Sequence, residues 1–215
     1  MMSSKNEITL TIDGVSVSSS EDATILQVME TIEKPAAVIC YHSATTPEGI
    51  CRQCVVEIEG WRTLAPACVT RVSQGMVIYT ESERVLRVRR TILEMLNASV
   101  DLSEASEIIS QIEAYDADPE RFPGAKTRTQ AVLDDNPFYV RDYEKCLMCW
   151  RCVQACGDDM QYTYALSVGG RGFESRISTF FDAPMPDTTC VFCGNCVAVC
   201  PTNALKSKTE FFLGH

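Results

Sequence analysis

CLMCWRCVQAC at residues 146–156 and CVFCGNCVAVCP at residues 190–201 decide the reading of this chain. Each stretch carries the spacing C-x2-C-x2-C-x3-C. Cys146, Cys149, Cys152 and Cys156 align with Cys190, Cys193, Cys196 and Cys200, and Val153 aligns with Val197, so the two stretches are an internal repeat. Three thiolates at this spacing wrap one face of a cubane 4Fe-4S cluster, and the fourth, too far round the turn, reaches the other cluster. Cys146, Cys149, Cys152 and Cys200 are therefore assigned to one 4Fe-4S cluster. Cys156, Cys190, Cys193 and Cys196 are assigned to a second. Only the second run ends in proline, Pro201; the first has Gly157.

Composition agrees with metal ligation. The 215 residues suit one to two domains, and 46% hydrophobic content is enough for a core. Twelve cysteines exceed what an ordinary protein of this size needs. A disulfide framework explains them poorly, because the opening residues MMSSKNEITL are polar and show no secretory signal. Neighbouring thiols in tight triplets also converge on one point, which suits a metal better than a bridge. A reducing, cytoplasmic location follows as the expectation. No apolar stretch reaches the length of a membrane span. A net charge of −10 argues against nucleic acid as a partner.

Toward the N-terminus, residues 7–12 (EITLTI) alternate as a half-buried strand does, Asp13-Gly14 forms a turn, and VSV returns. Thr24 and Gln27 read as a capping box for a helix with Ile25, Val28, Met29 and Ile32 on one face, ended by Pro35. CVVEIEG and MVIYT (residues 76–80) read as further strands. The plan is α+β, with a helix on a small mixed sheet.

Within this region lies a second constellation, Cys40, Cys51, Cys54 and Cys68, spaced C-x10-C-x2-C-x13-C. The loop after Cys40 is suited to folding over a cluster and aiming backbone N–H groups at its sulfurs. Four thiolates on a β-rich frame suit a 2Fe-2S centre; a zinc site also takes four thiolates, and the spacing leaves it open.

Residues 82–97 are predicted to form a helix on Val85, Val88, Ile92 and Leu96, with Leu93 beside them. Arg84, Arg87, Arg89 and Arg90 are expected on its solvated face. A second helix at 101–115 is expected to be capped by Asp101 and Glu104 and to bury Ala105, Ile108, Ile109 and Ile112. Residues 116–142 read as a linker, and the insert at 157–189, with its GGRG turn, as a short hairpin or interface loop. Trp150 and Phe192 are expected to shield the cubanes. Lys145 and His42 read as solvated and loop-exposed.

With both constellations placed, the chain resembles the N-terminal iron–sulfur module of molybdenum or tungsten formate dehydrogenase catalytic subunits. The same module is shared with the complex I large iron–sulfur subunit and the small diaphorase subunit of NAD-reducing hydrogenases. The matching stretches are ICYH, PEGICRQCVVEIEG, APACVT, NPFYVRDYEKCLMCWRCVQAC, GGRGFESRIS and CVFCGNCVAVCPTNAL, together reaching from residue 38 to 206. Position by position, Cys40, Cys51, Cys54 and Cys68 match the family's 2Fe-2S ligands, and the eight later cysteines match its two cubanes. The resemblance implies a β-grasp-like 2Fe-2S domain (1–81), a helical connector and linker (82–136) and a two-4Fe-4S ferredoxin-like domain (137–215).

Two departures stand out. Many members carry a further 4Fe-4S cluster, with one His and three Cys ligands, just after the helix at 82–97. Here that place reads NASVDLSEASEII, with no such ligand. The dehydrogenase also continues into a pterin-binding catalytic domain, which a sequence ending at His215 does not include. No G-x-G-x-x-G follows a strand and no nucleophile–base pair stands out, so no catalytic residue is assigned. The resemblance thus implies an electron-transfer subunit. Its expected partner is a pterin–metal catalytic subunit, with formate oxidation the favoured reaction, or else a flavin-containing NADH-oxidising subunit with a hydrogenase. A mobile multi-cluster carrier and a metal-stabilised interaction protein are the remaining alternatives.

Overall fold

The structure, a computed structural model, describes residues 7–34 and 36–214. It is mixed α/β. Strand β1 (Glu7–Ile12) buries Ile8, Leu10 and Ile12 and turns Glu7 and Thr9 outward, as its alternation predicts. Asp13 and Gly14 both take positive φ, the geometry of a tight turn whose twist matches the strands, and β2 (Val15–Ser20) returns antiparallel. The capping box is made in full: Thr24 Oγ1 accepts from the Gln27 N–H, and Gln27 Oε1 accepts from the Thr24 N–H. It starts α1 (Ile25–Thr31), whose Ile25, Leu26, Val28 and Met29 are buried. Ile32 caps the helix at its C-terminal end; Pro35, expected to end it, lies outside the described residues.

Strands β3 (Val55–Ile58), β4 (Ala65–Pro66) and β5 (Val77–Tyr79) complete a sheet of order β2-β1-β5-β3-β4. The β1–β5 pair is parallel and the other pairs are antiparallel. The core between this sheet and α1 includes Cys54 and Cys68.

Helix α2 (Glu83–Ser99) starts at the Ser82 cap. One arginine departs from the solvated reading: Arg89 is buried, donating to Val55 O at 2.9 Å and to Tyr115 Oη at 3.0 Å. It ties α2 to the sheet. Helix α3 (Ser106–Ala114) begins later than expected and has no side-chain cap. Asp101 instead accepts from the Ser103 N–H at 2.9 Å and pairs with Lys145 at 2.6 Å, while Glu104 pairs with Lys206. These two acids serve long-range ion pairs, a use that local pattern cannot reveal. Ala105 and Ile108 are buried together with Leu93 and Ile39, and Leu147 packs against the same core.

The expected linker is irregular until β6 (Tyr139–Arg141), which pairs antiparallel with β9 (Leu205–Ser207). Short helices α4 (Arg151–Cys156) and α5 (Asn195–Ala198) form the second halves of the two cysteine runs. The insert is a hairpin of β7 (Ser167–Gly169) and β8 (Arg176–Ser178), and α6 (Lys208–Leu213) packs on β6 and β9. No described helix is long and apolar enough to cross a membrane.

Candidate metal centres

All twelve cysteines are unbridged, and only Cys193 is exposed. They gather in three places. In the first, Cys40 and Cys51 lie on an irregular loop, Cys54 just before β3, and Cys68 just after β4. The four thiols form two pairs. Cys40 and Cys51 hydrogen-bond through their sulfurs and also crosswise through the backbone: the Cys40 N–H donates to Cys51 Sγ at 3.4 Å, and the Cys51 N–H to Cys40 Sγ at 3.5 Å. Cys54 pairs with Cys68 through their sulfurs, and Cys54 Sγ also accepts from the Cys68 and Ala67 N–H groups. The bond raises the Cys40 thiol and lowers Cys51 to about 6; it raises Cys68 and lowers Cys54.

Among the described residues, no three His, Cys, Asp or Glu side chains converge on a single-ion site. One tetrahedral zinc would draw four sulfurs to one point; two pairs instead suit a binuclear centre with two thiolates per iron. Gln53, fully buried between Cys51 and Cys54, has neither amide atom partnered, which fits a site built to hold a further group. Gly49 shapes the loop. Its φ is +64°, and a Cβ there would lie 3.1 Å from Val69 Cγ2.

The second place is a small cavity lined by Cys146, Cys149, Cys152 and Cys200, with Tyr143, Trp150 and Ile177. The third is lined by Cys156, Cys190, Cys193 and Cys196, with Tyr139 and Thr163. The last cysteine of each run lines the cavity of the other run. The helix explains the exchange: Cys152 and Cys156 stand one turn apart, about 6 Å along the axis, so they reach different cavities. The repeat extends to the backbone. Met148 and Phe192 both take positive φ (60° and 54°), as do Trp150 and Gly194 (68° and 79°). Three of these four are not glycine, each at a strain of about 1–3 kcal/mol. The same wrapping path is held twice.

Burial pushes the Cys149 and Cys196 thiols up to about 12 and raises Cys146 and Cys152 as well, with neighbouring thiols adding to the effect. Such thiols stay protonated unless a metal displaces the protons, and an iron cluster would supply the positive charge that does so. The sulfurs also receive donors. The Phe192 N–H reaches Cys190 Sγ at 3.4 Å and the Ala165 N–H reaches Cys156 Sγ at 3.2 Å. Tyr139 Oη lies 3.2 Å from Cys190 Sγ, and Thr163 Oγ1 lies 3.4 Å from Cys156 Sγ.

Trp150 lines the second cavity while staying partly exposed, and Phe192 packs in the core around the third. Lys145, expected in solvent, is largely covered and lies within ion-pair distance of Asp101, Glu104 and Asp142. His42 is half-buried, its Nδ1 accepting from the Ala44 N–H. Sequence reasoning did not single out Tyr139, Thr163 or Arg151; their roles come from contacts with residues distant in the chain.

Both cysteine-bearing regions match known iron–sulfur domains. Residues 5–83 match the 2Fe-2S iron-sulfur cluster binding domain, and residues 145–204 match the 4Fe-4S dicluster domain. The NADP-reducing hydrogenase subunit HndD of Solidesulfovibrio fructosivorans is 37% identical over 92% of this chain and 36% of its own length. The mitochondrial NADH-ubiquinone oxidoreductase 78 kDa subunit of Candida albicans is 28% identical over 96% of this chain and 29% of its own. This chain therefore spans about a third of these relatives. In a crystal structure of NAD+-reducing NiFe-hydrogenase in the H2-reduced state, one chain superposes with a TM-score of 0.83 at 26% identity, covering 94% of this chain and 87% of that one. The chain thus carries the iron–sulfur module common to NAD(P)-linked hydrogenases, the complex I large iron–sulfur subunit and formate dehydrogenases.

Proposed function

We propose that this chain relays electrons within a multi-subunit oxidoreductase and performs no bond chemistry of its own. One observation carries the reading: the twelve thiols sort into three groups of four with none left over. In this reading Cys40, Cys51, Cys54 and Cys68 hold a 2Fe-2S cluster on a β-grasp-like domain within residues 1–81. Cys146, Cys149, Cys152 and Cys200 hold one 4Fe-4S cluster, and Cys156, Cys190, Cys193 and Cys196 hold a second, within residues 137–215. Residues 82–136 form the connector between them.

Such clusters supply one-electron carriage at potentials set by hydrogen bonds, charge and solvent exposure. The residues of this chain set those terms. Tyr139, Thr163 and the loop amides donate to ligand sulfurs. Trp150 and Phe192 limit water. The exposed edge at Cys193 is the natural contact for a partner's redox group.

The partners are a nicotinamide-handling flavoprotein on one side and a hydrogenase or a formate-oxidising pterin–metal subunit on the other. The hydrogenase reading rests on the 37% identical subunit and the superposed structure. The formate reading rests on the shared module and on a relative assigned to the formate dehydrogenases. Reduced, unbridged thiols fit a cytoplasmic setting.

Anaerobic purification of the tagged chain from its own cells tests this. Co-purifying flavin and hydrogenase subunits, with hydrogen-dependent dye reduction, support the first partner set; a pterin subunit with formate-dependent reduction supports the second. Recovery alone with all clusters makes the chain a mobile carrier. Recovery without iron or labile sulfide rejects the relay.

A further inference from the structure

Arg151 stands between Cys149 and Cys152 in sequence and is 7% exposed. Its Nη2 donates to the carbonyls of Ile39 and Tyr41, the latter at 2.6 Å. Those two residues flank Cys40. On its other side, the Arg151 backbone N–H donates to Cys149 Sγ. One residue therefore touches a thiol of the first cubane site and the peptide groups on both sides of a thiol of the 2Fe-2S site.

Two neighbours hold the same loop. Gln154, on the same turn of α4, donates through Nε2 to Thr46 O. Asp159 accepts from both the Thr46 N–H and Thr46 Oγ1 at 2.7 Å. Residues 39–48 are thus fastened to α4 by Arg151 and Gln154 and to the turn after it by Asp159.

The charge is the telling feature. A buried guanidinium is costly unless an opposite charge pairs with it. Among the described residues, no carboxylate lies within ion-pair distance of Arg151, which meets only carbonyls and leaves Nε unpartnered. Once deprotonated as cluster ligands, the cysteines on its two sides would supply the missing negative charge.

We propose that Arg151 is a positioning residue that couples the 2Fe-2S site to the first cubane site. Its fork fixes the Cys40 loop against the Cys146 run. Its charge serves as the shared counter-ion of both centres and favours their reduced states. The inference rests on the cluster reading above.

The test uses the full chain, purified anaerobically as wild type, Arg151→Met, Arg151→Lys and Gln154→Ala. Iron content, EPR-monitored redox titration and hydrogen exchange are measured on each. In Arg151→Met, the midpoints of the 2Fe-2S centre and the Cys146-run cubane are expected to fall, with a smaller change at the cubane of Cys190. Amides of residues 39–48 exchange faster. In Arg151→Lys the charge is kept, so both midpoints stay near wild type while the loop exchange rises. Gln154→Ala loosens the loop alone and leaves the midpoints unchanged.

Wild-type midpoints in a fully loaded Arg151→Met overturn the counter-ion role. Should that variant fail to load, Arg151→Lys decides: wild-type exchange in residues 39–48 overturns the clamp. Absence of cluster signals in the wild-type chain overturns the proposed function instead.

Discussion

Tyr139 illustrates how single residues set the chemistry. Burial, then the Cys190 bond and the nearby thiols, raise its phenol well above the ordinary value, so the hydroxyl keeps its proton and donates. A donor to a ligand sulfur stabilises the reduced cluster. Tyr139→Phe should therefore lower the midpoint potential of the Cys190 cluster and leave the 2Fe-2S midpoint in place, as read by EPR titration. Ligand exchange gives a sharper result. Cys54→Ser should perturb only the 2Fe-2S signal, whereas Cys200→Ser should damage the cluster of Cys146, Cys149 and Cys152; loss of only the Cys190-run signal would reject the cross-assignment. Asp101 carries a pH dependence. Its bond with Lys145 holds the carboxyl at about 2, below the ordinary 3.8. The pair's stabilisation is full above 3.8 and lost as pH falls through about 2. With Asp101 partly exposed, it amounts to less than about 1 kcal/mol. An NMR titration of the Asp101 carboxyl should show the low midpoint, and Lys145→Met should return it toward 3.8.

At the scale of elements, glycine placement decides the β7–β8 hairpin. Gly170 takes φ +74°, and a Cβ there would lie 2.5 Å from Glu174 O, a backbone atom that cannot swing away. Gly170→Ala should destabilise the protein by about 1–3 kcal/mol, measured as a lower denaturation midpoint. Local features of this kind were legible in the sequence. The β1 alternation, the Asp13-Gly14 turn, the Thr24 capping box and the GGRG turn are dictated by residues within a few positions of each other. What was not legible depends on distant partners. Arg89 is drawn inward by Val55 and Tyr115, and Asp101 and Glu104 are drawn from capping to ion pairs with Lys145 and Lys206. The cysteine groups lie between these cases. Their spacing fixes the triplets, while the pairing of Cys40 with Cys51 and of Cys54 with Cys68 needed the fold.

Across the whole molecule, the two ends depend on their centres to different degrees. The sheet and α1 enclose a continuous apolar core from Ile8 to Ile78. The cubane end is held by helices of six and four residues, α4 and α5, around two cysteine-lined cavities. Helices that short do not stand without packing. Removing iron anaerobically with a chelator should therefore open residues 146–200 to proteolysis, while the β1–β2 hairpin, α1 and β5 stay protected. The connector joins the ends through Ile39, Leu93, Ile108 and Leu147. The sites of this chain are thus bridged by packing and by Arg151.

The most direct test of the relay is the metal itself. Iron, zinc and acid-labile sulfide should be measured on the anaerobically purified chain, with EPR on the reduced protein. About ten irons and ten labile sulfides per chain, with signals from one 2Fe-2S and two 4Fe-4S centres, is the expected result. Zinc in place of iron, with little sulfide and no cluster signal, would contradict it.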